Sequence, residues 1–116
     1  MALPNHGKAP YLTRYDDAQG PIGWIHWCPG CRCGHAINVE RPTERGHRWT
    51  FNGDHDHPTF SPSVHIKGHS YKQGVEIPGT EHTRCHYFLK DAQIQFLPDC
   101  QHELAGQTVP LPRTDD

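Results

Sequence analysis

Two cysteines separated by two residues are the clearest chemical signal in this sequence. Cys28 and Cys31 flank a Pro-Gly pair, which favours a tight turn that directs both sulfur atoms to one point. A thiolate pair held by one turn supplies half of a tetrahedral zinc site. The alternatives are a disulfide and a redox pair, but a redox pair usually begins a helix, and Gly34 argues against a helix here. The spacing therefore predicts that residues 28–31 form a metal-binding turn, which we call the knuckle.

The other ligands of such a site must come from later in the chain. Four candidates lie close together there: Cys85, His86, Cys100 and His102. The sequence has five cysteines, an odd number that a complete set of internal disulfides cannot use. No apolar segment follows Met1, so we expect no secretory signal, a cytoplasmic location and reduced thiols. These conditions favour bound metal over disulfide bonds.

Composition limits the size of the core and the kinds of partner. The chain has 116 residues, of which 34% are hydrophobic, and this predicts one domain with a modest core that a metal would help to hold. No apolar run approaches the length of a membrane span. A formal net charge of −2 gives no electrostatic footprint for nucleic-acid binding. We therefore expect neither membrane nor nucleic acid as a partner.

Eleven glycines and eleven prolines divide the chain into short segments. This punctuation predicts a mainly β fold of small antiparallel strands and hairpins, with little or no helix. The best hairpin candidate joins residues 84–89 to residues 93–97 through a turn at residues 91–92. In that register Cys85 lies on the same apolar face as Tyr87.

We divide the chain into an N-terminal arm (1–23), a single zinc-stabilised β domain (24–112) and a mobile tail (113–116). Within the domain, the prolines of the segment 58–64 favour extended backbone. An extended segment places Thr59, Ser61 and Ser63 on one side. These three hydroxyls either line a ligand pocket or cap neighbouring backbone groups.

Several motifs then follow one another in a fixed order: Cys-Pro-Gly-Cys with a following His, Trp-Thr-Phe-Asn-Gly, Pro-Thr-Phe-Ser-Pro-Ser-Val, Cys-His-Tyr-Phe, Phe-Leu-Pro-Asp-Cys-Gln-His and Leu-Ala-Gly-Gln-Thr-Val. From about Trp27 to Leu111, this series resembles a family of small uncharacterised proteins encoded largely in bacteriophages and prophages. Its members are often labelled "ammonia monooxygenase". The resemblance implies a zinc-bearing phage accessory protein of the host cytoplasm. The monooxygenase label does not fit, because copper-dependent ammonia oxidation belongs to large membrane assemblies.

The resemblance, carried over by position, singles out ten residues: Cys28, Cys31, His35, Asn52, Thr59, Ser63, Cys85, His86, Asp99 and His102. One position departs from the family pattern. Ala92 stands where the hairpin turn of the family often has Gly. Ala is poorly suited to a turn position that needs positive φ, so this residue argues against the expected hairpin register.

Two ligand sets remain open for the zinc. The first is a closed structural site made of Cys28, Cys31, Cys85 and His102. In the second, His35, His86 and Cys100 replace some of these residues. His86 and Asp99 then act either as a general base with its orienting carboxylate or as contacts that orient a ligand. We favour the latter, because three thiolates would leave the metal a poor Lewis acid, and we therefore predict no catalytic residue.

The function favoured by this reasoning is a zinc-stabilised interaction module that binds and modulates a host or defence protein. We favour such a module over an enzyme. One alternative is a small metal-dependent hydrolase with Thr59, Ser61 and Ser63 lining a polar substrate cleft beside His86. Another is a binder that sequesters a nucleotide-like ligand through the same hydroxyls and Asn52.

Overall fold

The computed structural model describes residues 10–68, 71–80 and 82–114, with the backbone alone for Tyr71. The described residues form short strands and turns and contain no helix, which confirms the predicted mainly β class. No helix that could cross a membrane occurs in these ranges. The strands are β1 (Thr13–Asp17), β2 (Gly20–Cys28), β3 (Cys33–Asn38), β4 (Thr50–Phe51), β5 (Phe60–Gly68), β6 (Tyr71–Lys72), β7 (Val75–Glu76), β8 (His82–Lys90), β9 (Gln93–Phe96) and β10 (Thr108–Pro110).

The first sheet is a three-stranded antiparallel meander in the order β1-β2-β3. Strands β2 and β3 pair as far as Cys28 opposite Cys33, so the knuckle is the turn of this hairpin. The sequence predicted an N-terminal arm of residues 1–23, of which residues 1–9 lie outside the described residues. Residues 10–23 include all of β1, and Leu12 beside this strand is fully buried.

The second sheet has five strands in the order β10-β9-β8-β5-β4, all antiparallel, and β6 pairs with β7 in a separate two-stranded ribbon. Strand β8 alternates strictly from Cys85 to Lys90, with Cys85, Tyr87 and Leu89 buried. Tyr87 lies opposite Phe96 in β9, which confirms the predicted hairpin register. One face of β8 therefore belongs to the core, and the other carries His86.

The β8–β9 turn keeps this register with two residues in the left-handed region. Asp91 has φ 53° and Ala92 has φ 60°, the pattern of a type I′ turn. The Thr59 hydroxyl accepts a hydrogen bond from the Asp91 N–H at 2.8 Å, and the Ala92 N–H bonds to the Pro58 carbonyl. These contacts hold Ala92 in a conformation that an L side chain rarely adopts.

Buried side chains of both large sheets form one cluster, so the sheets pack face to face. A polar chain crosses this core. His26 Nδ1 donates a hydrogen bond to the Trp27 carbonyl, so a neutral His26 has no proton on Nε2. This Nε2 therefore accepts a hydrogen bond from the Tyr87 hydroxyl at 2.6 Å. The Tyr87 oxygen can in turn accept a hydrogen bond from His35 Nδ1 at 3.2 Å. Burial lowers the pKa of His26 and of His35 to about 4. Both imidazoles are therefore neutral at pH 7.

Candidate functional sites

Three cysteines and one histidine converge where the two sheets meet. Ligand atoms of Cys28, Cys31, Cys85 and His102 all lie within 4.8 Å of one another. The knuckle supplies two of them, β8 supplies Cys85, and the loop after β9 supplies His102. The structure thus brings together the first of the two predicted ligand sets.

The distances in this cluster match those of a tetrahedral metal site. A zinc ion with Zn–S bonds of about 2.3 Å places two ligand sulfurs about 3.8 Å apart, and a sulfur and a nitrogen about 3.6 Å apart. Here Cys28 Sγ lies 4.0 Å from Cys85 Sγ, and Cys85 Sγ lies 3.4 Å from His102 Nε2. The Cys31 N–H also donates to Cys28 Sγ at 3.3 Å. These donors fit a closed four-ligand metal site.

Gly30 is required by the way His102 enters the cluster. A Cβ atom at this position would lie 2.3–2.5 Å from three atoms of the His102 imidazole. No side chain fits in that space. The Pro-Gly pair of the knuckle therefore shapes the turn and also makes room for a ligand from a distant loop.

The thiols of the cluster have unequal acidity. The hydrogen bond from the Cys85 thiol lowers the pKa of Cys28 to about 6, whereas burial and the Cys28 charge raise the pKa of Cys31 to about 11. The same hydrogen bond and burial raise the pKa of Cys85 as well. A cation is needed to stabilise three thiolates together, and this is the chemistry of a soft divalent metal site.

A second polar site lies on the opposite face of β8. Ser63 Oγ is 3.3 Å from His86 Nε2, and His86 Nδ1 is 3.1 Å from Asp99 Oδ2. A carboxylate can only accept, so Nδ1 carries the proton toward Asp99 and leaves Nε2 to accept from the Ser63 hydroxyl. This is the geometry of a Ser-His-Asp triad, which is recognised by contacts rather than by order in the sequence.

A bulge in β5 positions Ser63 for this contact. Phe60 lies opposite Leu89, but Val64 lies opposite Tyr87, so three residues of β5 stand against the single residue Phe88. Bulges often redirect side chains next to active sites. The Trp49 indole N–H donates to the Ser63 carbonyl at 3.1 Å and fixes the backbone at the end of the bulge.

His65 contacts the triad through the imidazole of His86. The two residues are directly opposite in the β5–β8 register, and their rings stack with centroids 4.4 Å apart. Ligand atoms of His65, His86 and Asp99 also lie within 4.8 Å of one another. The rings are nearly parallel, at 20°. One ion cannot lie in the planes of both rings unless a ring rotates, so this arrangement suits stacking better than metal binding.

The two sites share their supporting elements. Strand β8 provides Cys85 and His86 to opposite faces, and the loop after β9 provides Asp99 and His102. Between them, the Cys100 thiol donates to the His86 carbonyl at 3.1 Å and accepts from the His86 N–H at 3.2 Å. Cys100 therefore fastens the loop to the backbone of the triad histidine.

A family model described as "Bacterial ubiquitination-like system serine protease (BubE)" matches residues 3–97. The chain belongs to the BubE family. The match fits a small accessory protein of a bacterial ubiquitination-like system. It does not fit the phage-encoded family that the motifs resembled, or the label "ammonia monooxygenase". Comparison with curated proteins and with solved structures gives no match.

The BubE match covers Ser63 and His86, as well as the three cysteines of the metal cluster, and it ends two residues before Asp99. Of the three hydroxyls predicted to share one side, only Ser63 contacts His86. Thr59 caps the β8–β9 turn, and Ser61 is exposed. Asn52 supports the loop that follows it, since its side chain bonds to the His57 carbonyl and to the Thr59 N–H.

The other candidate ligands lie apart from the metal cluster. His35 bonds to the Tyr87 hydroxyl within the core, and Cys100 lies against the backbone of His86. The sequence predicted that His86 and Asp99 act together, and the hydrolase alternative placed Ser63 in a cleft beside His86, but a direct contact of Ser63 with His86 was not predicted. The signal available was alternation: if Cys85 points into the core, its neighbour His86 must point out, toward the face that carries the hydroxyls of β5.

Proposed function

We propose that this protein is a serine hydrolase that cleaves peptide bonds within a bacterial ubiquitination-like system. Ser63 is the nucleophile, His86 the general base, and Asp99 the carboxylate that orients His86. The contact chain from Ser63 through His86 to Asp99 is the observation that carries the proposal. Membership of a family described as serine proteases supports it independently.

The proposed reaction follows from the proton positions. His86 Nε2 takes the proton of the Ser63 hydroxyl as its oxygen bonds to the substrate carbonyl carbon. The C–N bond then breaks, and His86 gives that proton to the leaving amine. Water, activated by the same histidine, hydrolyses the acyl-enzyme and frees Ser63. Asp99 stays ionised and stabilises the imidazolium that forms in each step.

We further propose that Cys28, Cys31, Cys85 and His102 hold a structural Zn²⁺. Four protein ligands close the coordination sphere, so the metal supplies cross-linking rather than Lewis-acid chemistry. The ion would tie the knuckle to β8 and to the loop that carries Asp99. In a chain of 34% hydrophobic composition, this cross-link supplements a modest core.

A fluorophosphonate probe tests the nucleophile without knowledge of the substrate. On metal-loaded protein, we expect one covalent adduct, located at Ser63 by mass spectrometry. Ser63→Ala should abolish it, and the matched control Ser61→Ala should retain it, because Ser61 is exposed and two residues away. His86→Ala should slow labelling by about 10³-fold to 10⁴-fold with the fold and metal retained.

The absence of an adduct on folded, metal-loaded protein would contradict the proposal and favour the non-enzymatic interaction module. A metal-dependent hydrolase is the second candidate, and the proximity of His65, His86 and Asp99 favours it. In that case His65→Ala should abolish hydrolysis and remove a second equivalent of metal. If Ser63, His86 and Asp99 instead act as a triad, His65→Ala should leave Ser63 reactive toward the probe and the metal content unchanged.

A further inference from the structure

The imidazole of His86 is held at two of its edges and at one of its faces. Its Nδ1 atom lies 3.1 Å from Asp99 Oδ2, and its Nε2 atom lies 3.3 Å from Ser63 Oγ. Both nitrogens belong to the edge of the ring, so the faces are left for packing. His65 covers one face, with the ring centroids 4.4 Å apart and the ring planes at 20°. The stacked contact therefore adds to the two hydrogen bonds and does not compete with them.

Strand pairing places His65 against His86. The two residues are direct partners in the β5–β8 pair, and the Cβ atoms of direct partners in an antiparallel sheet lie about 4.5–5.5 Å apart. This part of β5 follows the bulge, where Val64 pairs with Tyr87. The two rings are thus brought together by paired strands and not by a loop.

Thr83 anchors the ring of His65. The His65 Nε2 atom lies 2.7 Å from Thr83 Oγ1, a short hydrogen bond to a residue of the same strand as His86. His65 is exposed, and exposed side chains change rotamer rapidly. The bond to Thr83 restricts this motion and keeps the His65 ring parallel to that of His86.

We propose that His65, anchored by Thr83, is a positioning residue that holds the His86 ring in the plane of its two hydrogen bonds. Rotation of the His86 ring would swing both nitrogens away from Ser63 and Asp99, and it would also cost the stacked contact with His65. The benefit to the reaction rests on the proposed function, whereas the restraint on the His86 ring does not. His65 exchanges no proton in the proposed reaction and acts through His86 alone.

NMR relaxation of the ring C–H bonds of His86, in metal-loaded protein, measures this restraint without any substrate. We expect an order parameter of about 0.85 in the native protein and below about 0.6 in His65→Ala. His65→Phe keeps a planar ring beside His86, so it should retain the native value. The matched control His57→Ala removes an exposed histidine from the loop before Pro58 and should leave the His86 ring unchanged.

The rate of fluorophosphonate labelling shows whether the restraint serves the reaction. His65→Ala should lower the maximal rate of adduct formation at Ser63 by about 10-fold, while the probe concentration that gives half of this rate stays unchanged. The adduct still forms, because the triad itself is intact. His65→Phe should recover most of the rate. A phenyl ring cannot bind a metal, so this recovery also separates positioning from a metal site.

Thr83→Val removes the anchoring hydroxyl at nearly constant volume. We expect the labelling rate to fall by about threefold, with Tm and metal content unchanged. In the His65→Ala background the same substitution should cause no further decrease, because Thr83 acts through His65. An equal decrease in both backgrounds would overturn the anchoring role of Thr83.

The two proposals fail separately. Equal order parameters for the His86 ring in the native protein and in His65→Ala would overturn the positioning role, whether or not Ser63 is labelled. Labelling of His65→Ala at the native rate, or of His65→Phe as slowly as His65→Ala, would overturn it as well. A His86 ring that becomes mobile in His65→Ala, with no adduct in any protein, would retain the restraint and overturn the hydrolase.

Discussion

Cys85 and His86 are neighbours in one strand, yet they belong to two sites with opposite properties. Cys85 is fully buried among sulfur and imidazole donors between the sheets. His86 points the other way and contacts Ser63 and Asp99, whose side chain is half exposed. The period of a β-strand separates the two chemistries by a single residue. A metal bound by Cys85 would therefore hold the backbone next to His86 while it stays on the opposite face of the sheet from Ser63 and Asp99.

The loop after β9 repeats this division, with Asp99 directed to the triad and His102 to the metal cluster. The metal would fix the positions of β8 and of the loop after β9, because each of these segments provides one ligand. Loss of the metal should then disable the triad although no ligand takes part in the proposed chemistry.

Cys85→Ser tests this dependence and has the largest expected effect. The binding free energy of a structural metal is also folding free energy. We therefore expect loss of the metal and a decrease in Tm of about 10 °C or more, together with loss of fluorophosphonate labelling. Elemental analysis, thermal melts and labelling measure the three outcomes.

Cys33→Ser is the matched control, because Cys33 is exposed at the end of the same knuckle and lies outside the four-residue cluster. It should retain metal, Tm and labelling. If Cys85→Ser kept full labelling after losing its metal, the two sites would be independent of one another.

Trp49→Phe is expected to affect the triad side alone. The substitution keeps an aromatic ring at this position but removes the N–H that bonds to the Ser63 carbonyl. A hydrogen bond of this kind contributes about 1 kcal/mol, so the rate of Ser63 labelling should fall by about fivefold to tenfold while the metal content stays constant. Trp27→Phe, at a half-exposed indole of the other sheet, should leave the rate unchanged. Equal rates for the two variants would show that the hydrogen bond does not position the nucleophile.

Ala92→Gly is expected to change stability and neither site. Ala92 has φ 60°, and an L residue in the left-handed region costs about 1 kcal/mol relative to glycine. The variant should unfold at higher denaturant concentration, by about 1 kcal/mol, with labelling and metal content unchanged. Ala36→Gly, in the interior of β3, should instead lose about 0.5–1 kcal/mol. A destabilised Ala92→Gly protein would mean that the methyl group has packing value.

Features that depend on local alternation could be predicted from the sequence. The β8–β9 register followed from apolar residues at alternate positions. Placing Cys85 on that buried face favoured the first of the two ligand sets, which is the set that the structure brings together. The left-handed conformation of Ala92 did not follow, because long-range bonds from Pro58 and Thr59 stabilise it.

Alternation places Ser63 and His86 on the same outer face of the sheet, but it does not show that the two side chains meet, because the bulge in β5 decides which residue of β8 stands beside Ser63. Without the bulge, the register of Phe60 with Leu89 would place Ser63 opposite His86, whereas the register of Val64 with Tyr87 would place it opposite Phe88, and nothing in the local sequence states where the extra residues are accommodated. The residues that fix the arrangement are distant in the chain. Trp49 holds Ser63 from 14 positions away, and Cys100 holds His86 from 14 positions away.

The bulge in β5 also determines how this strand can change length. It contributes two extra residues, an even number, so Phe60 before it and Val64 after it both face the core. Adding or removing a single residue would turn Val64 outward and His65 inward, and would reverse every position that follows in the strand. A change of two residues would leave the core unaltered and move only the segment that carries Ser63. Ser63 thus occupies a stretch in which an insertion or deletion of two residues would preserve the packing of the strand that follows it.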